Sequence, residues 1–224
     1  MKSSATIPIA IVIGGLIVAV AVYVSMPKHP GLSAGGNPAL VRPVGASDHI
    51  LGNPAAKVML VEYADFDCDF CKGFNQTLQQ IVANEGAKGD VAWVFREFPL
   101  TEIHPNAMKH AEAAECVAQV AGNDAFWKFS DELYTNQPVD PSQYGTLAKA
   151  IDTLPGDAFA SCYASAATTV DARIQADRQN ALDMGAIGTP FSVILVTGKA
   201  PVVVNGSYSY DEIKQMIDQA LAGA

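Results

Sequence analysis

Residues 58–74, with the sequence VMLVEYADFDCDFCKGF, predict a buried strand that runs directly into a helix. Residues 58–61 form an apolar run with β-branched side chains, which favours a strand, and helical spacing of apolar residues follows as far as residue 82. Cys68 and Cys71 fall in the first helical turn, where unpaired backbone N–H groups and the helix dipole stabilise a thiolate. The spacing predicts a reversible dithiol/disulfide pair, with Cys68 as the exposed nucleophile and Cys71 covered.

Glu62 lies in the predicted strand, six residues before the first cysteine. A carboxylate buried beneath the cysteine pair can exchange a proton with the inner thiol, that of Cys71. A carboxylate near a strand end can also be an ordinary surface group, and the residues themselves leave that alternative open.

With these residues in view, the sequence resembles the thioredoxin superfamily, and specifically its DsbA-like branch of thiol–disulfide oxidoreductases. The resemblance covers roughly residues 48–222. The residues that carry it are Glu62, Cys68-Asp69-Phe70-Cys71, His104-Pro105-Asn106-Ala107, Phe126-Trp127 and Gly188-Thr189-Pro190.

The resemblance implies a site as well as a fold. It implies that the Thr189–Pro190 peptide is cis, that Pro190 packs beside the active-site sulfurs, and that both residues dock the backbone of a substrate. It also implies that the chain needs no cofactor or metal beyond the redox-active Cys68–Cys71 disulfide. A redox partner that reoxidises or rereduces this pair is then required.

Three aspartates surround the first cysteine, at positions 65, 67 and 69. Because like charges disfavour ionisation, an exposed acidic rim here is expected to raise the pKa of the Cys68 thiol. The chain carries Asp-Phe between its cysteines, where strong oxidants of the resembled family commonly carry Pro-His, so we expect a milder oxidant. The same carboxylates could bind a cation, although a calcium loop requires more ligands and a glycine at the turn.

Cys116 and Cys162 fall on separate predicted helices, 46 residues apart. Two buried free thiols that act as small apolar residues are one interpretation. A structural disulfide is favoured, because the number of cysteines is even and the dithiol chemistry suits an oxidising compartment.

Charge and ligand spacing argue against two other classes of protein, nucleic-acid binders and zinc proteins. The formal net charge is −9 and no basic stripe is present, which argues against a nucleic-acid partner. A zinc site usually requires a second close pair of ligands, and the other two cysteines do not form one. A copper-binding thioredoxin-like module remains an alternative, since soft thiolates favour Cu(I).

The predicted fold class is α/β, a thioredoxin-like core with an inserted helical domain, preceded by one N-terminal transmembrane helix. The apolar segment is long enough to span a bilayer, and a cleaved signal peptide is its alternative. The following stretch is rich in proline and glycine, as a flexible linker would be. The predicted bounds are 1–6 for the tail, 7–26 for the anchor, 27–48 for the linker, 49–104 and 166–224 for the core, and 105–165 for the helical insertion.

Hydrophobic periodicity places the individual elements. The predicted strands are residues 57–63, 91–98, 191–196 and 202–204. The predicted helices are residues 68–84, 105–120, 124–134, 141–151, 157–164, 168–184 and 209–221, where Ser209 and Glu212 form a capping box.

The resemblance therefore implies a membrane-anchored thiol–disulfide oxidoreductase that exchanges disulfides with cysteine-containing exported proteins, as a DsbA-like oxidase. The lipid bilayer would hold residues 7–26 as a single-pass anchor, with the catalytic domain on the extracytoplasmic side. A disulfide reductase or isomerase is the alternative within the same enzyme class, and the copper-binding module is the alternative outside it.

Overall fold

The computed structural model describes residues 37–151 and 153–222. The predicted tail at residues 1–6, the predicted anchor at residues 7–26 and most of the predicted linker lie outside these ranges. Among the helices of residues 37–151 and 153–222, none combines the length and the hydropathy that crossing a membrane requires.

Strands of the described chain form one sheet at the centre of the fold. The strand bounds are β1 His49–Gly52, β2 Val58–Ala64, β3 Val91–Glu97, β4 Phe191–Val196 and β5 Val202–Asn205. The strands lie in the order β1-β3-β2-β4-β5, in which β2 and β3 are parallel and the other neighbours are antiparallel. β2, which carries Glu62 and leads to the cysteines, therefore occupies the middle of the sheet.

Helices cover both faces of this sheet and also form the segment between β3 and β4. Their bounds are α1 Asp69–Asn84, α2 Ala107–Ala121, α3 Asn123–Asn136, α4 Tyr144–Ala148, α5 Gly156–Ala164, α6 Ala166–Thr169, α7 Asp171–Asp183 and α8 Tyr210–Ala222. Short 3₁₀ turns occur at Pro38–Leu40, Gly86–Lys88 and Pro141–Gln143.

The side chains of β2 alternate between two hydrophobic cores, because successive residues of a strand point to opposite faces. Leu60 and Ala64 belong to the larger core, which also contains Cys71 of α1. Val61 belongs to the smaller core on the other face. Glu62 lies between these positions, so its side chain points to the same face as Leu60, Ala64 and Cys71.

Helices α2 to α5 lie within the predicted helical insertion at residues 105–165, and aromatic residues of α3 pack against the sheet. The Trp127 ring of α3 lies 4.5 Å from the Trp93 ring of β3, centroid to centroid, and the Phe126 ring lies 5.5 Å from that of Phe95. Large buried rings of this kind dominate the energetics of a core. The predicted class, an α/β thioredoxin-like core with a helical insertion, is confirmed.

The clearest differences from the prediction concern β1 and the helix at residues 168–184. The sequence pattern does not predict β1, because four residues with one fully buried side chain carry no clear alternation, and β1 is held by its pairing with β3. The predicted helix at residues 168–184 is interrupted at Val170, which separates α6 from α7. The hydroxyls of Thr168 and Thr169 both donate to the Ser165 carbonyl, and such local bonds compete with regular helix formation.

Residues 37–48, which belong to the predicted flexible linker, pack against the domain. Arg42 forms an ion pair with Asp177 of α7, and Asp48 forms one with Arg96 of β3 at 2.8 Å. The Arg96 side chain is 1% exposed. A buried guanidinium requires a partner, and this segment supplies it, so the segment is part of the domain.

Candidate active site

The two cysteines lie where β2 leads into α1. Cys68 is the N-cap residue of α1, with an extended backbone at φ −82° and ψ 119°, and Cys71 lies in the first helical turn. Both thiols are free, and the Cys68 sulfhydryl donates to the carbonyl oxygen of Thr189 at 3.4 Å. Cys71 is 0% exposed and Cys68 only 5%. Cys68 is therefore the more accessible sulfur but lacks the broad exposure that the sequence suggests.

The surroundings of Cys68 favour its thiolate. Its pKa is lowered to about 6, mainly because the Cys71 thiol donates a hydrogen bond to it, whereas burial acts in the opposite direction. The Thr189 side chain and the backbone N–H groups of Cys71 and Phe70 lower the pKa of Cys68 further. Burial raises the pKa of Cys71 well above its ordinary value. At neutral pH the pair is therefore one thiolate and one thiol.

Asp65 is buried and fully engaged with its neighbours. Its carboxylate accepts hydrogen bonds from the backbone N–H groups of Asp67 and Leu100, and one oxygen lies 2.9 Å from Nδ1 of His104. Burial would lower the pKa of His104, but the hydrogen bond to Asp65 raises it, with a further contribution from Cys68. His104 of the resemblance motif thus organises the loop that precedes the first cysteine.

Asp67 contacts His110 of α2. His110 is buried, with Nε2 lying 2.9 Å from Oδ1 of Asp67 and Nδ1 bonded to a tyrosine hydroxyl of α4. Of the three aspartates only Asp69 is exposed to solvent. The expectation that an acidic rim raises the pKa of Cys68 is wrong, because Asp65 and Asp67 are held by partners and the hydrogen bonds at the sulfur dominate.

Glu62 is 1% exposed, so it is not the surface carboxylate that the sequence left as an alternative. Neither of its carboxylate oxygens is hydrogen-bonded to any residue that the structure describes. Burial raises the pKa of Glu62 to about 8, while the nearby Trp93 indole acts in the opposite direction and the charge of Cys68 adds to the rise. Glu62 also interacts electrostatically with Cys71. It can therefore hold a proton at neutral pH close to the inner thiol.

The Thr189–Pro190 peptide bond is cis, as the resemblance implies. It immediately precedes β4, and the antiparallel pairing of β4 with β2 brings the loop to the end of β2 where the cysteines lie. The Pro190 carbonyl accepts a hydrogen bond from the N–H of Gly206, which ties the loop to the chain after β5. The structure therefore brings Thr189 and Cys68 into contact, although they are 121 residues apart.

Cys116 of α2 and Cys162 of α5 form a disulfide, with their Cα atoms 5.7 Å apart. Both residues are buried in the helical insertion. In the structure this pair is bonded, so the alternative of two free buried thiols does not describe it. The bond joins two helices of the insertion and does not include either active-site cysteine.

Sequence reasoning missed three exposed large apolar residues that lie close in sequence to residues of the site. Phe70, Ile103 and Ile187 are 71%, 68% and 76% exposed, the highest values for large hydrophobic residues in the described chain. Phe70 lies between the cysteines, Ile103 precedes His104, and Ile187 lies two residues before Thr189. The signal in the sequence was one large apolar residue at each of three motifs, namely the cysteine pair, His104-Pro105 and Thr189-Pro190.

A protein-family model described as Thioredoxin matches residues 46–219. The chain therefore belongs to the thioredoxin family. Among solved structures, it resembles alpha-DsbA1 of Wolbachia pipientis with a TM-score of 0.68 and 21% identity, covering 83% of this chain and 96% of that one. It resembles BdbD of Bacillus subtilis with a TM-score of 0.66 and 28% identity, covering 79% and 94% respectively. The fold is thus DsbA-like.

Two kinds of relative match at the level of sequence. Disulfide bond formation protein D of Bacillus subtilis is 28% identical over 192 residues, which is 78% of this chain and 77% of that protein. The Na(+)/H(+) antiporter NhaA 1 of Mycolicibacterium gilvum is 35% identical over 130 residues, which is 58% of this chain and 19% of the antiporter. The chain spans about a fifth of the length of that antiporter.

Proposed function

We propose that this protein is a thiol–disulfide oxidoreductase that oxidises cysteine-containing exported proteins. Cys68 is the nucleophilic cysteine, Cys71 is the second member of the redox pair, and Glu62 exchanges a proton with Cys71. Thr189 and Pro190 form the edge against which a substrate backbone docks. The observation that carries the proposal is the placement of Cys68 at a helix start, in contact with the cis-proline loop.

In the oxidising direction the reaction starts from the Cys68–Cys71 disulfide. A substrate thiolate attacks the Cys68 sulfur and forms a mixed disulfide, and Cys71 leaves with the electron pair and takes a proton from Glu62. A second substrate thiolate then attacks the first substrate sulfur and releases Cys68 as a thiolate. The substrate gains a disulfide and the enzyme is left as a dithiol, so a redox partner must reoxidise it.

The ionisation of Cys68 supports the oxidising direction. A pKa of about 6 means that the released Cys68 is a thiolate at neutral pH. Stabilisation of this thiolate stabilises the reduced enzyme, and a stable reduced form makes the corresponding disulfide a stronger oxidant. A reductase would instead require its disulfide form to be stabilised relative to its dithiol form.

The exposure of Phe70, Ile103 and Ile187 beside residues of the site supports a polypeptide substrate. Exposed large hydrophobic side chains at a reactive site are typical of surfaces that bind another protein. An unfolded protein presents apolar segments beside its reduced cysteines, whereas a small thiol does not. The name Disulfide bond formation protein D, carried by one relative, agrees with such a role. We further propose that residues 7–26 anchor the domain in the cell membrane, on its extracytoplasmic side.

The test is the oxidation of a reduced, unfolded protein that contains two cysteines. Protein carrying the Cys68–Cys71 disulfide should convert the substrate to its disulfide form in an equimolar reaction, and Cys68→Ala should not. A preparation that instead reduces insulin with added dithiol but fails to oxidise the unfolded substrate would support the reductase alternative. Stoichiometric copper on anaerobically purified protein without exchange activity would support the copper-binding alternative.

A further inference from the structure

Three buried polar groups that form no hydrogen bond of normal geometry with any residue of the described chain lie around the candidate proton-transfer site. They are the Glu62 carboxyl, the Ser192 hydroxyl and the Trp93 indole N–H, and none of the three residues is more than 1% exposed. Buried polar groups in native proteins are almost always paired, because an unpaired one loses its hydration without compensation. Three such groups at one place therefore indicate that they form hydrogen bonds in another state of the protein.

Strand register places Ser192 directly opposite Glu62. β2 and β4 are antiparallel, and Glu62 is paired with Ser192. Directly opposed residues of an antiparallel pair point to the same face, with Cβ atoms about 4.5–5.5 Å apart. Ile194, two residues along β4, belongs to the same core as Cys71, which fixes that face. At this separation a rotation of the serine side chain brings its hydroxyl within reach of the carboxyl.

We propose that Ser192 is a positioning residue for proton transfer, which donates a hydrogen bond to the Glu62 carboxylate once Glu62 has given its proton to Cys71. The inference rests on the proposed function, because it assigns a role within the same exchange reaction. A protonated, neutral carboxyl tolerates the buried site, whereas a carboxylate requires donors. Ser192 supplies one donor from β4, and the Trp93 indole lies on the same face to supply a second from β3.

The role of Ser192 follows from where the electron pair and the proton go when the enzyme disulfide opens. When a substrate thiolate bonds to Cys68, the electron pair of the enzyme disulfide goes to the Cys71 sulfur. Glu62 then transfers its proton to that sulfur, which leaves a neutral thiol and a buried carboxylate. A hydrogen bond from Ser192 stabilises this carboxylate and has no comparable effect on the protonated form. Loss of the hydroxyl should therefore raise the pKa of Glu62.

The experiment is a carboxyl titration of the full-length, reduced protein with ¹³C label in its glutamate side chains. Ser192→Ala should raise the pKa of Glu62 by about one unit, a tenfold change in its ionisation constant. Ser192→Thr keeps the hydroxyl and should restore the wild-type value. Ser130→Ala is the matched control, since Ser130 is also 0% exposed and its hydroxyl likewise has no hydrogen-bond partner among the described residues. Ser130 lies in α3, so this variant should leave the titration unchanged.

Ser192→Ala should fold normally, because removal of a buried hydroxyl that makes no hydrogen bond to the described residues should not destabilise the protein. An unchanged pKa of Glu62 in folded Ser192→Ala would overturn the proposal. A shift that threonine does not reverse, or an equal shift in Ser130→Ala, would assign the effect to packing and would also overturn it. The titration needs no turnover. A shift with Ser192→Ala in a protein without exchange activity would support the Ser192–Glu62 coupling while contradicting the proposed function.

Discussion

The chain contains two cysteine pairs that differ in almost every property relevant to chemistry. Cys68 and Cys71 are free thiols at the start of α1, beside the cis-proline loop and above a buried carboxyl. Cys116 and Cys162 are bonded to each other and link α2 to α5 in the helical insertion. The difference shows that reactivity belongs to the surroundings of a cysteine, which either stabilise a thiolate or do not.

The stabilisation of Cys68 comes from close hydrogen bonds rather than from the net charge nearby. The Cys71 thiol, Thr189 and two backbone N–H groups lower the pKa of Cys68 despite its burial. The neighbouring aspartates do not reverse this effect, because Asp65 and Asp67 have their own partners. A count of charges within a few residues is therefore a poor guide to the ionisation of a partly buried thiol.

The largest effect should separate the two members of the reactive pair. Cys71→Ala should accumulate mixed disulfides with substrate proteins, because Cys68 still reacts and no neighbouring thiol resolves the product. Cys68→Ala should accumulate almost none, because Cys71 is fully buried and its pKa is raised. Non-reducing gels compare the two variants directly. Equal trapping by both would contradict the assignment of Cys68 as the nucleophile.

A second effect should come from Glu62, the buried carboxyl beneath the reactive pair. Its pKa rises from 4.5 to about 8 on folding, so the folded state binds an extra proton between these values. The contribution of Glu62 to the free energy of unfolding is therefore fully present below pH 4.5. It is lost as the pH rises toward 8, and the total loss is about 5 kcal/mol.

Glu62→Gln should remove this contribution to the pH dependence. The measurement is the free energy of unfolding of wild type and variant by denaturant titration at several pH values across that window. The difference between the two proteins should change steadily with pH. Parallel curves would show that Glu62 ionises normally in the folded state and would remove it from the mechanism.

A third effect should be confined to the other pair. Replacing both Cys116 and Cys162 with alanine opens a loop of 46 residues, and loop-closure entropy gives a loss of about 4 kcal/mol in the free energy of unfolding. The pKa of Cys68 should stay at its wild-type value, because neither residue contributes to it. Denaturant titration and thiolate absorbance report the two quantities. A shift of the Cys68 pKa in a folded variant would contradict the separation of the two pairs.

The smallest of these effects concerns the hydrogen bond within the reactive pair. Cys71→Ala removes the main cause of the low pKa of Cys68, which should rise by about two units toward the ordinary value. The thiolate absorbance of the variant as a function of pH measures it. An unchanged pKa near 6 would mean that the helix start and Thr189 alone stabilise the thiolate.

The local pattern of the site was predictable, because it depends on sequence spacing. The apolar run before Glu62, the helical spacing after Cys71 and the apolar run of β4 each follow from a few adjacent residues. The bounds of the corresponding elements agree within one or two residues. Short-range periodicity carries this information irrespective of the rest of the fold.

The unpredicted features depend on contacts between distant parts of the chain. His110 is buried because α2 packs with Asp67 and α4 around it, and nothing in its own helix indicates this. β1 exists because β3 offers an edge to pair with. Arg96 follows five apolar residues of β3, and its need for an acidic partner was a sequence signal that another segment, here residues 37–48, packs against this strand.

The most direct test of the account is the redox equilibrium of both pairs in one sample. The protein is equilibrated with glutathione buffers of graded potential, quenched by alkylation and mapped by mass spectrometry. We expect the Cys68–Cys71 pair to pass from disulfide to dithiol over a range in which Cys116–Cys162 stays fully bonded. Reduction of Cys116–Cys162 before or together with Cys68–Cys71, or failure of Cys68 and Cys71 to form a disulfide, would contradict the account.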